Sequence, residues 1–420
     1  MYNFAVRRLA FLLHIYQPPT QHEDVLKNIA TSCYIPLLRT IKNKRIPITL
    51  NIPLSLLEQM DRYGYKEWLA DLKTLVEAEK VELVGSGAYH PLFSKIPTDF
   101  AEKQIILNEY ALGYYFGKRG GFDGDPSIMI PNLEGFFSPE LAVSMDVLKI
   151  IDDLGYVWML VDETSIPKDV GNKRHGVFEV EGFKTRVVAR NKKLSELIAN
   201  KRDLEVRGIL QSASSAKSSV VSINGEIFGH HNERGILLLE TLFDALKKER
   251  VEVVTVSEYV KTKDERQIQG IVESTWNTSQ ENTDSGNLYP RWVAPKNKIN
   301  KLQWEVMDKL LSLYKSETTE TSLIGLEEIP VWDIKELEKI EDQKLRESME
   351  LDLLVLKSMH SCQFYQTSYE PVHSPGIIFG ATALLATVVS KMGNAALDKY
   401  AKPRLDEINE LVEASLESQN

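Results

Sequence analysis

The stretch VVSINGEIFGHH, residues 220–231, begins as an apolar β-branched run and closes on Asn224, Glu226, His230 and His231. An Asn-Gly pair suits a tight turn, since Asn tolerates left-handed geometry and Gly carries no side chain. A hairpin leaves Glu226, Phe228 and both histidines unexplained. Adjacent histidines point towards a metal, yet ligands at i and i+1 in a strand or loop lack the spacing and the third partner that a metal needs. Sugar binding is the better reading of this stretch, and no metal or cofactor is expected.

A second stretch, GFFSPELAVS, sets Glu140 after an aromatic pair and Pro139, which fix its backbone. A carboxylate held rigidly beside aromatic rings suits attack on a sugar ring with oxocarbenium character. The plainer reading makes Glu140 a first-turn carboxylate favoured by a helix dipole. HIYQPP places His14 and Gln17 where donors and acceptors meet sugar hydroxyls, although two prolines also suffice to set a capped turn. VELVGSGAYHPLF adds a Gly-rich bend that permits close backbone approach, with Tyr89 and His90 projecting beyond it.

These groups need a scaffold that brings them to one place. Short apolar runs recur: RRLAFLLH, RIPITLNIP, VELVGSG, SIMIPN, YVWMLVD, TRVVAR, SVVSING and VEVVTVS, each separated by a segment of helical period. Strands alternating with helices imply parallel pairing and an α/β fold. One helix shows its signals clearly, with Ser144 as cap, Val147, Leu148, Ile151 and Leu154 as apolar stripe, and Gly155 as terminator. Seven or eight such units predict a (β/α)7-type barrel, in which all strand C-termini share one face. His14, Gln17, Asn51, Tyr89, His90, Asn132 to Glu140, Asp162, Glu163, Arg190 and Asn224 to His231 all follow such runs and converge there. From Asn297 the pattern turns to long helical stretches, so a barrel over 1–296 and a helical layer over 297–420 are expected, with ETTETSLIGLEEIPVW as an irregular connection.

Taken in order, the stretches resemble glycoside hydrolase family 57, the α-glucan-active enzymes with a (β/α)7 barrel. His14 to Pro18 matches its His-Gln-Pro motif, Gly85 to Pro91 its second, Phe137 to Glu140 its aromatic-X-Pro-Glu motif, and Asn224 to Gly229 its Asp-Gly-Glu motif. The resemblance spans roughly residues 8 to 300; ESTWNTSQENTDSGNLYPRW and HSCQF resemble later, less diagnostic segments. It implies that Glu140 is the nucleophile of a retaining mechanism and that Asn224 stands where the acid/base Asp belongs. His14, Gln17, His90, Glu226 and His230 are then expected sugar contacts and Phe137 the stacking platform, with Arg190 and Trp276 added on their strand-end placement and aromatic character. Tyr16 replaces a second His of the family and Phe137 its usual Trp.

An amide donates a hydrogen bond but delivers no proton at neutral pH. Three accounts of Asn224 stand open: natural loss of hydrolysis with glycan binding kept, an engineered Asp-to-Asn change, or transfer of the acid role to Glu226. In an extended segment Glu226 would be displaced by about 6.6 Å, twice the rise per residue. Two rival functions remain, a non-catalytic carbohydrate-binding protein and a metal-dependent polysaccharide deacetylase using His90, His230 or His231.

Composition fits this picture. With 43% apolar and 26% charged residues among 420, the chain reads as a globular protein. Its net charge of −10 disfavours nucleic acid, whose phosphates call for clustered Lys and Arg, and suits a neutral ligand; the α-glucan or oligosaccharide expected as partner is what the resemblance implies. Cys33 and Cys362 are the only cysteines, which suits a reducing compartment. The apolar stretch Leu9 to Leu13 is short for a signal peptide and runs into His14, and no run reaches membrane-spanning length. A cytoplasmic location is therefore expected.

Overall fold

Strand β1, Arg8–His14, sorts its side chains by alternation. Ala10 and Leu12 enter a buried cluster with Trp158, Leu160, Val188 and Val220. On the other face Phe11 meets Phe243 of helix Gly235–Lys248 edge-on, ring centres 5.4 Å apart. Both faces are thus covered, which is why the run is apolar almost throughout.

The computed structural model describes residues 7–119, 128–129, 133–171, 174–215, 218–261, 265–294, 296–314, 332–368 and 374–417. Two compact units divide the chain. The first comprises Met1–Gln17, His22–Ser86 and Pro131–Trp276; the second comprises Pro18–Gln21, Gly87–Ile130 and Asn277–Asn420.

Among the described residues, seven parallel strands organise the first unit: β1, β2 (Ile48–Asn51), β3 (Val81–Leu83), β4 (Gly135–Phe137), β5 (Trp158–Val161), β6 (Arg186–Ala189) and β7 (Ser218–Asn224). Ladders join β7 to β1, β1 to β2, β2 to β3, β4 to β5 and β5 to β6. Between β3 and β4 the link is a parallel bridge at Gly85, whose N–H donates to Gly135 and whose carbonyl accepts from Phe137, both at 2.9 Å. Past the end of β6, the Asn191 N–H donates to Val220 of β7 at 2.8 Å. The succession thus returns to its start, as a (β/α)7-type fold requires. Outside it, Glu252–Val254 pairs with the first half of β1, and Gly176–Val180 runs antiparallel to β6.

One expected strand is misplaced. Within SIMIPN only Ile128–Met129 is described as strand, paired antiparallel with Lys118–Arg119 in the second unit; Asn132 lies outside the described residues. Its place is taken by Gly135–Phe137, too short to announce itself. Gly135 is there for close approach, since a Cβ would sit 2.0 Å from the Trp158 ring. Helix Met145–Asp153 is capped by Ser144 as expected, while Leu154 lies past its end and is 36% exposed rather than part of its buried stripe.

In the second unit, helices Thr98–Phe116, Lys298–Leu313, Gln343–Ser358, Pro375–Lys391 and Ala395–Glu417 dominate. Residues 317–331 of the irregular connection lie outside the described residues. Among the described residues no helix is long and apolar enough to cross a membrane.

Candidate active site

Parallel register places the strand ends together. His14 is opposite Asn51 on β2 and opposite Asn224 on β7. Its ring lies nearly parallel to Phe137, the last residue of β4, with centres 4.8 Å apart and planes 14° apart, and also to Tyr16 at 6.0 Å. Nδ1 of His14 meets Oδ1 of Asn51 at 2.6 Å. Because the amide oxygen only accepts, Nδ1 carries the proton of the neutral ring. Burial lowers the His14 pKa to about 4 against the opposing effect of that hydrogen bond, so the ring is neutral at pH 7.

Glu140 leaves β4 through a short turn with φ 60° and ψ 14°, followed by Leu141 at φ 46°. Two successive non-glycine residues in the left-handed region cost free energy and persist only where the surroundings hold them. Here they are held on several sides. Ser86 Oγ donates to the Phe137 carbonyl at 2.8 Å, and Ser138 Oγ to that of Ala142 at 2.6 Å. Val143 and Ser274 form an antiparallel bridge. Trp276 then ties Glu140 twice: its backbone N–H donates to the Glu140 carbonyl at 3.1 Å, and its indole Nε1–H to Oε2 at 2.9 Å. Glu140 lies in the short turn Pro139–Leu141, ahead of helix Met145–Asp153, so it is not a first-turn carboxylate of that helix.

Asn224 ends β7 in ordinary extended geometry, φ −69° and ψ 130°, and its exposed side chain does not cap the turn that follows. The plainer reading of Asn224-Gly225 as a left-handed hairpin turn is therefore not met. Gly225 serves close packing instead, since a Cβ would lie 2.4 Å from Ile15 Cγ2. A short helical turn, Gly225–Ile227, directs Glu226 inward, where only 6% of it is exposed. Its Oε1 accepts from the Tyr16 N–H at 2.9 Å and from the Tyr34 hydroxyl at 2.7 Å. Tyr34 in turn accepts from Gln17 Nε2 at 2.9 Å. Burial raises the Glu226 pKa, with the Tyr34 and Tyr16 donors opposing.

Arg190 is almost wholly buried. Its Nε and one terminal nitrogen meet Oδ2 of Asp162 at 2.8 and 2.7 Å, and its other terminal nitrogen donates to the Ser222 carbonyl at 2.8 Å. Burial pushes the Asp162 carboxyl up, but Arg190 and Lys192 outweigh it and hold the pKa below the usual range. Lys192 Nζ reaches both Asp162 Oδ1, at 3.3 Å, and the Trp276 carbonyl, at 3.0 Å. A continuous polar arc therefore runs from Glu140 through Trp276, Lys192, Asp162 and Arg190 to β7. His230 is half-buried, its pKa lowered by that burial, and its ring contacts His231 at 4.7 Å. His90 belongs to the second unit, where it is buried at φ 57° with Nδ1 2.9 Å from Ser361 Oγ.

Residues 8–273, well over half of the chain, match the family model of glycosyl hydrolase family 57. The chain belongs to glycosyl hydrolase family 57. An alpha-amylase of Pyrococcus horikoshii is 24% identical over 267 residues, 60% of this chain and 39% of the relative. Alpha-amylase 1 of Dictyoglomus thermophilum is 25% identical over 227 residues, 52% of this chain and 31% of the relative. The match thus spans well under half the length of either amylase. By fold, the chain is similar to the 4-alpha-glucanotransferase of Thermococcus litoralis, with TM-score 0.64, 17% identity, and coverage of 92% of this chain and 60% of the other. It is also similar to the alpha-amylase AmyC of Thermotoga maritima, with TM-score 0.63, 13% identity, and coverage of 97% and 99%.

Tyr34 and Lys192 join this constellation without a signal in the sequence that marks them. Tyr34 closes a wide π-type turn, Ala30–Tyr34, and its partner Glu226 lies 192 positions away. Lys192 opens helix Lys192–Ala199 directly after its cap, Asn191, which marks a helix start and nothing more.

Proposed function

We propose that this family 57 chain carries a retaining site for α-linked glucan in which Glu140 is the nucleophile and Asn224 occupies the acid/base position, so that sugar binding outlasts turnover. The observation that carries this reading is the contrast between the two residues. Glu140 is a carboxylate on a rigid turn with an indole N–H on Oε2, whereas Asn224 is an exposed amide at the end of the strand beside His14. The amylases and the glucanotransferase to which the chain is similar are named for action on α-glucans, which supports that substrate class.

In a retaining reaction one carboxylate attacks the anomeric carbon while a second group protonates the leaving oxygen and later activates water. Glu140 supplies the first function. His14 and Phe137 line the mouth with a neutral imidazole and a ring face, while Glu226 holds the β1 and β7 loops in place from below rather than donating a proton. With an amide at 224, the protonation step lacks its donor, a deficit typically worth roughly 10²- to 10⁴-fold in rate. Asn224→Asp should therefore raise hydrolysis of soluble α-glucan by about that factor; an Asp variant no faster than the present chain rejects the assignment.

The second reading, a carbohydrate-binding protein without turnover, draws on the same amide at Asn224. Glucan affinity in both forms with no turnover in either would favour it. A deacetylase reading draws no support from the donor set, since among the described residues no three His, Cys, Asp or Glu side chains group together.

A further inference from the structure

The geometry points to Trp276 as a positioning residue for the Glu140 carboxylate, rather than a surface on which sugar stacks. This rests on the reading of Glu140 as nucleophile. A carboxyl group at the end of a Glu side chain turns easily about its last bond, and its two oxygens are equivalent until something distinguishes them. The indole Nε1–H distinguishes them, engaging Oε2 at 2.9 Å.

The donor is itself fixed. The Trp276 N–H is committed to the Glu140 carbonyl, its own carbonyl receives Lys192 Nζ, and its ring packs against the buried cluster that includes Phe137 and Leu141. Side chain and backbone of one residue thus hold side chain and backbone of the other. Such a bond to a charged acceptor orients the plane of the carboxylate towards the sugar before reaction, and a pre-oriented nucleophile reacts faster without binding its substrate more tightly. A stacking platform would do the reverse, lowering the concentration for half-saturation and leaving the maximal rate.

An activated α-glucosyl fluoride that forms a long-lived adduct separates these roles, and it needs no proton donor, so Asn224 is no obstacle. A Glu140 oxygen forms the bond to C1 as the C1–F bond breaks, and fluoride departs with the electron pair. Intact-mass measurement follows the adduct with time, and peptide mapping locates it. Trp276→Phe keeps a ring and removes the N–H. The maximal labelling rate should fall about 10- to 100-fold, with the half-saturating concentration changed less than about threefold.

A second measurement is independent of labelling. In protein carrying 15N-tryptophan, the Trp276 indole signal, assigned by its absence in Trp276→Phe, should shift when Glu140 becomes Gln. Equal labelling rates in the two proteins, or a change confined to half-saturation, would overturn the positioning role. Should Trp276→Phe fail to fold, Glu140→Gln moving none of the chain's six tryptophan indole signals would overturn it equally. Absence of any adduct on Glu140 in the unaltered chain would instead overturn the retaining-site reading, and the positioning role with it, while the indole signal still reports whether the hydrogen bond exists.

Discussion

His14 and Asn224 are directly opposite one another as the last pair of the ladder between β1 and β7. One is a neutral imidazole stacked on Phe137; the other is an exposed amide with no proton to give. Beneath them Glu226 binds the loop after β1 and the turn bearing Tyr34, so the two ends are held in register by a carboxylate inside the fold.

That inner tie makes a stability prediction. Tyr34→Phe removes the hydroxyl between Gln17 and Glu226, leaving a buried carboxylate one donor short, and should cost about 1–3 kcal/mol in urea unfolding. Glu226→Gln should cost less, because an amide oxygen still accepts from both Tyr16 and Tyr34. Equal losses in the two variants would mean that charge, rather than hydrogen bonding, holds the turn.

His14 sets a pH window. Its imidazole takes up a proton at about 4 in the folded chain, against 6.5 for the free side chain, because burial disfavours the cation. The unfolded chain therefore binds more protons between these values, and stability present above 6.5 is lost as pH falls towards 4, by up to about 3 kcal/mol. Thermal melting of His14→Gln should fall less steeply over this range than melting of the unaltered chain. Parallel curves would show that His14 contributes nothing to the acid limb.

Arg190 and Asp162 anchor the arc between Glu140 and β7. Arg190→Met would leave a buried carboxylate without its main counter-charge, a loss of about 3–5 kcal/mol. Adding Asp162→Leu should recover much of that loss, because the uncompensated charge goes with it. A double variant no more stable than Arg190→Met, by denaturant midpoint, would show that shape rather than charge governs this position.

Much of this architecture is legible in the sequence because it is local. The apolar run of β1 and the Ser144 cap each follow from neighbouring residues. Strand β4 is not legible, since three residues beginning with Gly135 become a strand only because Trp158 fills the space a Cβ would take. Glu140 is visible as a carboxylate after Pro139, but its left-handed backbone and its bond to Trp276 are products of distant segments. Glu226 shows the same limit. Its motif marks it as important, and only the turn at Gly225–Ile227 reveals that it faces inward.

The central claim, a retaining site whose missing part is the proton donor at 224, is tested most directly by the stereochemistry of azide trapping. An aryl α-maltooligoside with a good leaving group needs little acid assistance, and azide attacks the glycosyl-enzyme without a general base. Two successive inversions at C1 should give the α-glycosyl azide, with turnover accelerated by azide in the present chain and little affected in Asn224→Asp. A β-glycosyl azide, or no acceleration by azide in the Asn224 form, would contradict the account.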